Sequence, residues 1–91
     1  MSVVRVPPVL RSEAGGAREV EASGSTVREL LEDLASRLPA LGARVYGGGE
    51  IKSFVNVYVD GEDVRTRGGL DAPVRNGATV ILLPAMAGGS R

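Results

Sequence analysis

One helical stripe sets the plan of this chain. Thr26 and Glu29 form a T-x-x-E capping box, and Val27, Leu30, Leu31, Leu34 and Leu38 follow at intervals of three and four. That spacing puts the five apolar residues on one face of an α-helix and the cap at its start. Arg28, Glu29, Glu32, Asp33, Ser36 and Arg37 take the other face, with the carboxylates toward the N-terminal half, where the helix dipole favours them. Pro39 ends the run, because a proline inside it would remove a hydrogen bond and clash with the preceding turn. The stripe could seat a partner helix. No other stripe of comparable size accompanies it, so its expected role is to pack on a sheet of the same chain.

Strand patterns lie on both sides of the helix. Residues 3–6 are rich in valine and read as a short strand. Pro7-Pro8 limits ladder bonding, so an edge or bulge is expected before Val9-Leu10. Ala14-Gly15-Gly16 is a turn, and 18–22 alternates charged and apolar residues as a half-buried strand does. The two strands are expected to form a hairpin around Gly15-Gly16. After the helix, 40–52 reads as a loop with Gly47-Gly48-Gly49 at its most flexible point. No helix start follows these glycines, and Lys52-Ser53 does not stand directly after a glycine as in a phosphate-binding loop, so they do not read as a phosphate cradle. Residues 54–59 form a strand with Val55, Val57 and Val59 on one face and Phe54 and Tyr58 on the other.

Asp60-Gly61 turns the chain into a short strand at 62–65, where Arg65 and Arg67 share one side of an extended segment. Residues 68–74 read as irregular, and Asn76-Gly77 as a turn. The last strand is 79–83, with Pro84 expected to end it by removing a donor. The order is strand, strand, helix, strand, short strand, strand. It predicts an α+β domain with a mixed four- to five-stranded sheet and one main helix on one face. The first and last strands can pair in parallel at the centre, which would send the C-terminus out as a tail.

Composition narrows the chemistry. Ninety-one residues make one domain, read as 1–85 with a tail at 86–91. One Phe, two Tyr and no Trp leave the core to aliphatic side chains. Eleven basic and eleven acidic residues balance, which argues against a nucleic-acid partner. With no Cys and no His, thiolate nucleophiles, imidazole bases, disulfides and Cys/His zinc sites are excluded. Asp60, Glu62, Asp63 and Asp71 lack the spacing of a calcium loop, so no metal site is expected. No apolar run approaches the roughly 20 residues of a membrane span, and no signal-peptide core is present. A cytoplasmic domain is expected.

The end of the chain is the candidate functional element. Val80-Ile81-Leu82-Leu83 leads through Pro84-Ala85-Met86-Ala87 to Gly88-Gly89, with Ser90-Arg91 beyond. Two glycines without Cβ atoms make a thin strap that can thread a narrow channel. Such a strap suits a protein whose own C-terminal carboxylate reacts inside another enzyme. A frayed terminus is the plain alternative.

The strand order and this ending resemble the ubiquitin-like β-grasp sulfur carriers, the family of the ThiS, MoaD and CysO types. The resemblance covers nearly the whole chain. Residues 54–65 and 82–89 carry it most specifically, and with Gly68-Gly69-Leu70 they are most similar to the actinobacterial CysO type. It implies a carrier, not an enzyme, with no bound cofactor. A ubiquitin-activating-type adenylyltransferase (MoeB/ThiF-like) would use ATP to adenylate the carboxylate of Gly89, and a sulfur donor would convert it to a thiocarboxylate. Ala85, Met86, Ala87 and Gly88 would occupy the partner's channel. Ser90 and Arg91 would have to be removed, with a zinc-dependent JAMM-type metallopeptidase as the implied agent. Cysteine synthesis through a PLP-dependent synthase is the implied destination of the sulfur. Thiazole, molybdopterin and thio-containing secondary metabolites remain alternatives. Phe54, Tyr58, Arg65 and Arg67 are candidates for partner docking. The rival readings are a ubiquitin-like protein modifier and a β-grasp binding module with an inert tail.

Overall fold

The computed structural model describes residues 1–85. Strand β1 is Ser2–Arg5 and β2 is Glu19–Ala22, joined through a 3-10 helix at Pro8–Ala14. Helix α1 is Val27–Arg37 and α2 is Pro39–Val45. A small ribbon of β3 (Tyr46–Gly47) and β4 (Glu50–Ile51) follows, then β5 (Val55–Val59), β6 (Glu62–Asp63) and β7 (Thr79–Pro84). Five strands form one sheet in the order β2-β1-β7-β5-β6. β1 and β7 pair in parallel, and the other neighbours are antiparallel.

The register explains the core. Val20, Val4, Val80 and Val59 form one rank across four strands, and they point to the side that carries α1. Leu30, Leu31 and Leu34 of α1 close on that rank together with Val57 and Leu82. All three leucines are at most 1% exposed. Burying each contributes about 1.5–3 kcal/mol, so the stripe and the valine rank supply most of the hydrophobic drive. A five-stranded mixed sheet gripping one long helix is the ubiquitin-like β-grasp.

Helix α1 is anchored at its start. The Thr26 hydroxyl accepts the Glu29 N–H at 3.2 Å, as the capping box requires. The reciprocal bond falls one residue earlier: Glu29 accepts the N–H of Ser25 at 2.9 Å and its hydroxyl at 2.8 Å. These donors, the backbone N–H first, hold the Glu29 carboxyl below its usual range. Asp33 is lowered in the same way by the Ser23 N–H at 2.7 Å, with Arg37 assisting. Gly24 lets the chain pass beneath this first turn. A Cβ there would lie 2.7 Å from the carbonyl carbon of Glu29.

The expected loop at 40–52 is instead ordered. Pro39 ends α1 and also starts α2, since its missing N–H would be unpaired at a helix start anyway. Leu41 and Val45 are fully buried, and Gly42 brings α2 against Ala35 of α1. A helix of only seven residues shows too little of the 3.6 period to be read beside three glycines. Gly48 (φ 62°) and Gly49 (φ 77°) form the two-residue turn between β3 and β4, a conformation with positive φ at both positions. Tyr46 and Ile51 on this ribbon pack against the core. Burial pushes the Tyr46 phenol up, with Glu32 as its acceptor.

Three local expectations are also corrected. The residues after Pro7 form a 3-10 helix rather than the expected edge or bulge, which two consecutive prolines with fixed φ favour. The segment after β6 is not extended: β6 stops at Asp63, whose side chain accepts the Arg65 N–H and caps a 3-10 turn at Val64–Thr66. A second such turn, Gly69–Asp71, follows. Pro84 is the last residue of β7 rather than the first beyond it, opposite Val55, and one more bond follows as Ala85 donates to the Phe54 carbonyl at 2.7 Å. In an antiparallel ladder alternate residues bond to the same neighbour, so Pro84 sits where β5 asks for no donor.

Candidate functional site

The side of the sheet away from α1 carries the candidate site. Its register is a second rank across all five strands: Glu19, Arg5, Ile81, Tyr58 and Asp63. One step toward the end of β7, Leu83 stands opposite Asn56. Leu83 is 42% exposed and Phe54 is 45% exposed. Ile81 and Tyr58 are half-buried. These four side chains form an apolar strip that runs along β7 and β5 to the point where the chain leaves the sheet at Ala85. No helix covers this face among the described residues.

Cations frame the strip. The Arg44 guanidinium lies 5.9 Å from the centroid of the Phe54 ring, within reach of a cation–π attraction. Arg65 donates to the Val55 carbonyl at 3.1 Å and to the Asn56 side chain. Arg5 borders Ile81 on the opposite flank.

The sequence-predicted docking residues do not all fall together. Phe54, Tyr58 and Arg65 lie at or beside the strip. Phe54 precedes β5 rather than opening it, and α2 and the ribbon leave it exposed. Arg67 is elsewhere. Because 64–66 is a 3-10 turn, Arg67 is carried away from Arg65 and pairs with Glu62 at the far end of the sheet. There it lines a cleft of about 210 Å³ with Val59, Val64 and Pro73, and Asp60 in the same cleft binds Arg75 at 3.1 Å.

Of the expected tail, Ala85 is described and extends the pairing of β7 with β5. Met86, Ala87, Gly88, Gly89, Ser90 and Arg91 lie outside the described residues. Leu83, Ile81, Asn56 and Arg5 were not singled out from sequence. The alternation along 79–84 separates Leu82 from Leu83, but it cannot say which of them meets the helix until the register is known. Among the described residues, no three His, Cys, Asp or Glu side chains group to hold a metal ion, and no helix is long and apolar enough to cross a membrane.

Comparison with known proteins agrees with the fold. Residues 4–89 match the ThiS family, a match that ends at Gly89. The sulfur carrier protein CysO of Mycobacterium tuberculosis is 39% identical over 89 residues, covering 94% of this chain and 96% of that protein. Among solved structures, a chain of the Amycolatopsis orientalis BexX/CysO complex superposes with a TM-score of 0.87 at 44% identity, covering 93% of this chain and 96% of that one. The small archaeal modifier protein 1 of Haloferax volcanii superposes with a TM-score of 0.72 at 30% identity, covering 91% and 92%.

Proposed function

The chain belongs to the ThiS family, and from that premise we propose that it is a sulfur carrier that delivers sulfur from a thiocarboxylate on Gly89. The observation that carries the reading is the family match running through the Gly-Gly pair and stopping there. The chemistry fits a chain with no Cys or His, because the carrier supplies no catalytic side chain. A carboxylate is a poor electrophile. Attack of the Gly89 carboxylate on ATP forms an acyl adenylate and releases pyrophosphate, and a sulfur nucleophile then displaces AMP to leave the thiocarboxylate. ATP is bound and spent by a ubiquitin-activating-type partner, so the carrier itself holds no cofactor and works in the cytoplasm.

The fold contributes a rigid handle. The tail follows a central strand that β1 and β5 flank at its start and β5 alone holds as far as Ala85, so the root of the strap is fixed while its end is placed in the partner. The strip of Phe54, Tyr58, Ile81 and Leu83 is the surface that the activating enzyme would cover. Ordering each tail residue costs up to about 1–2 kcal/mol, and Ala85, Met86 and Ala87 offset part of that through apolar contact. Ser90 and Arg91 leave by hydrolysis of the Gly89–Ser90 bond before activation, through a JAMM-type metallopeptidase. A synthase of cysteine formation is the favoured recipient of the sulfur.

Intact mass tests the reading. The full chain and a form ending at Gly89 are each incubated with ATP, a ThiF-type activating enzyme and a sulfur source. The shorter form should exchange one oxygen for sulfur and the full chain should not. If neither changes with an enzyme active on another carrier, the reading is wrong. A second reading, a protein modifier, draws on the likeness to a small archaeal modifier protein. Isopeptide adducts ending in Gly89, found without any thiocarboxylate, would favour it.

A further inference from the structure

Three arginines of the first eighteen residues meet at one corner of the sheet. Arg5 ends β1, Arg18 directly precedes β2, and Arg11 lies in the 3-10 helix between them. Val6 ties the corner together. Its N–H donates to the Arg18 carbonyl at 2.8 Å, and its own carbonyl accepts Nε of Arg11 at 3.1 Å. The three arginines and Glu19 line an open groove of about 410 Å³. Arg5 and Glu19 face each other loosely at 3.8 Å. Arg11 and Arg18 make no ion pair among the described residues. In a chain of zero net charge, this corner is a local excess of positive charge rather than a reflection of a basic composition.

Its position gives it meaning. β1 runs parallel to β7, so the end of β1 that carries Arg5 is the end of the sheet where β7 reaches Ala85. Arg44 and Arg65 stand on the other flank of that end. Asp60 and Glu62 sit at the opposite end, where Arg75 and Arg67 neutralise them.

We infer that the Arg5–Arg11–Arg18 groove receives a carboxylate-rich segment on the rim of the partner that takes the tail. This rests on the carrier reading and adds the chemistry of the partner's surface to it. A protein surface fits better than a free anion. The groove is open, with Arg5 and Arg18 exposed and Arg11 half-buried, so a small ion there stays hydrated and screened. Carboxylates on a surface already docked along Ile81 and Leu83 act at high effective concentration. Charges at such a rim act mainly on the rate of association, whereas apolar contacts at the centre act on dissociation.

Association of the form ending at Gly89 with a ThiF-type activating enzyme, followed by stopped flow, tests the inference. For R5E/R11E/R18E the association rate should fall about tenfold or more at low salt, and the difference should close near 0.5 M salt. R5K/R11K/R18K should retain the rate, and R5Q/R11Q/R18Q gives the same reading if charge reversal prevents folding. L83D should instead hasten dissociation. If L83D weakens the complex and neither the reversal nor the neutral triple variant slows association, the inference is overturned and the carrier reading stands. If the wild-type form ending at Gly89 does not bind the enzyme, both fail. Inorganic phosphate bound in the groove at micromolar concentration, with partner association untouched by the arginine variants, would assign the groove to a free anion and overturn the inference.

Discussion

The two faces of the sheet share one set of strands and one ladder, yet they do opposite work. On the helix side, Val20, Val4, Val80 and Val59 make an unbroken apolar rank. On the open side, the next rank runs Glu19, Arg5, Ile81, Tyr58, Asp63, with charge at its ends and an apolar centre. The two-residue period of a strand separates them completely. Substitutions on one face act on stability, while those on the other act on what the molecule can hold. The division also sets where the tail begins, since the apolar centre of the open rank lies on the strands that pair up to Ala85.

The sharpest test uses two adjacent leucines. Leu82 is fully buried and Leu83 is 42% exposed. Leu82→Ala should cost about 2–5 kcal/mol in urea unfolding. Leu83→Ala should change stability by no more than about 0.5 kcal/mol. Equal losses would break the comparison. Gly42→Val asks how tightly the helix side is closed. Its Cβ would meet the Ala35 Cβ at 2.5 Å, so a loss of about 1–3 kcal/mol in the same assay is expected, with the open face unchanged by NMR. Thr26→Ala removes the cap of α1 and should cost about 1 kcal/mol.

The smallest effect is a pH dependence that belongs to the helix side alone. Glu29 and Asp33 have folded pKa values below their unfolded ones, through bonds from the Ser25 and Ser23 N–H groups. Groups lowered in this way contribute stability above the unfolded pKa and lose it as pH falls through the folded value. Unfolding midpoints should therefore be level near neutrality and decline below about pH 4. E29Q/D33N should flatten that decline. An unchanged acid slope in this variant would remove these carboxylates as its cause.

How much was legible in the sequence follows from how far each feature depends on distant partners. Helix α1, its Thr26 cap and most of the strands were readable, because capping and amphipathic period are local. Helix α2 and the β3–β4 ribbon were missed, because Pro39 reads first as a stop and Gly47-Gly48-Gly49 hides an ordered turn. The extended reading of 62–67 failed because Asp63 caps a 3-10 turn, which sends Arg65 to the open face and Arg67 to the far cleft. Phe54 and Tyr58 were named from alternation alone. Leu83 and the arginine corner were not, since nothing local distinguishes them from Leu82 or from other surface arginines.

The sequence by itself determined the α+β β-grasp plan, the aliphatic core, the absence of thiol and imidazole chemistry, and the Gly-Gly strap. Each of these rests on residue identity or on a period within a few turns of chain. Only the tertiary structure decided which leucine of β7 meets the helix, why Pro84 does not end pairing, and which arginines gather at the end of β1. Those outcomes depend on strand register and on the parallel pairing of β1 with β7, which joins segments more than seventy residues apart. No local propensity encodes a register of that range.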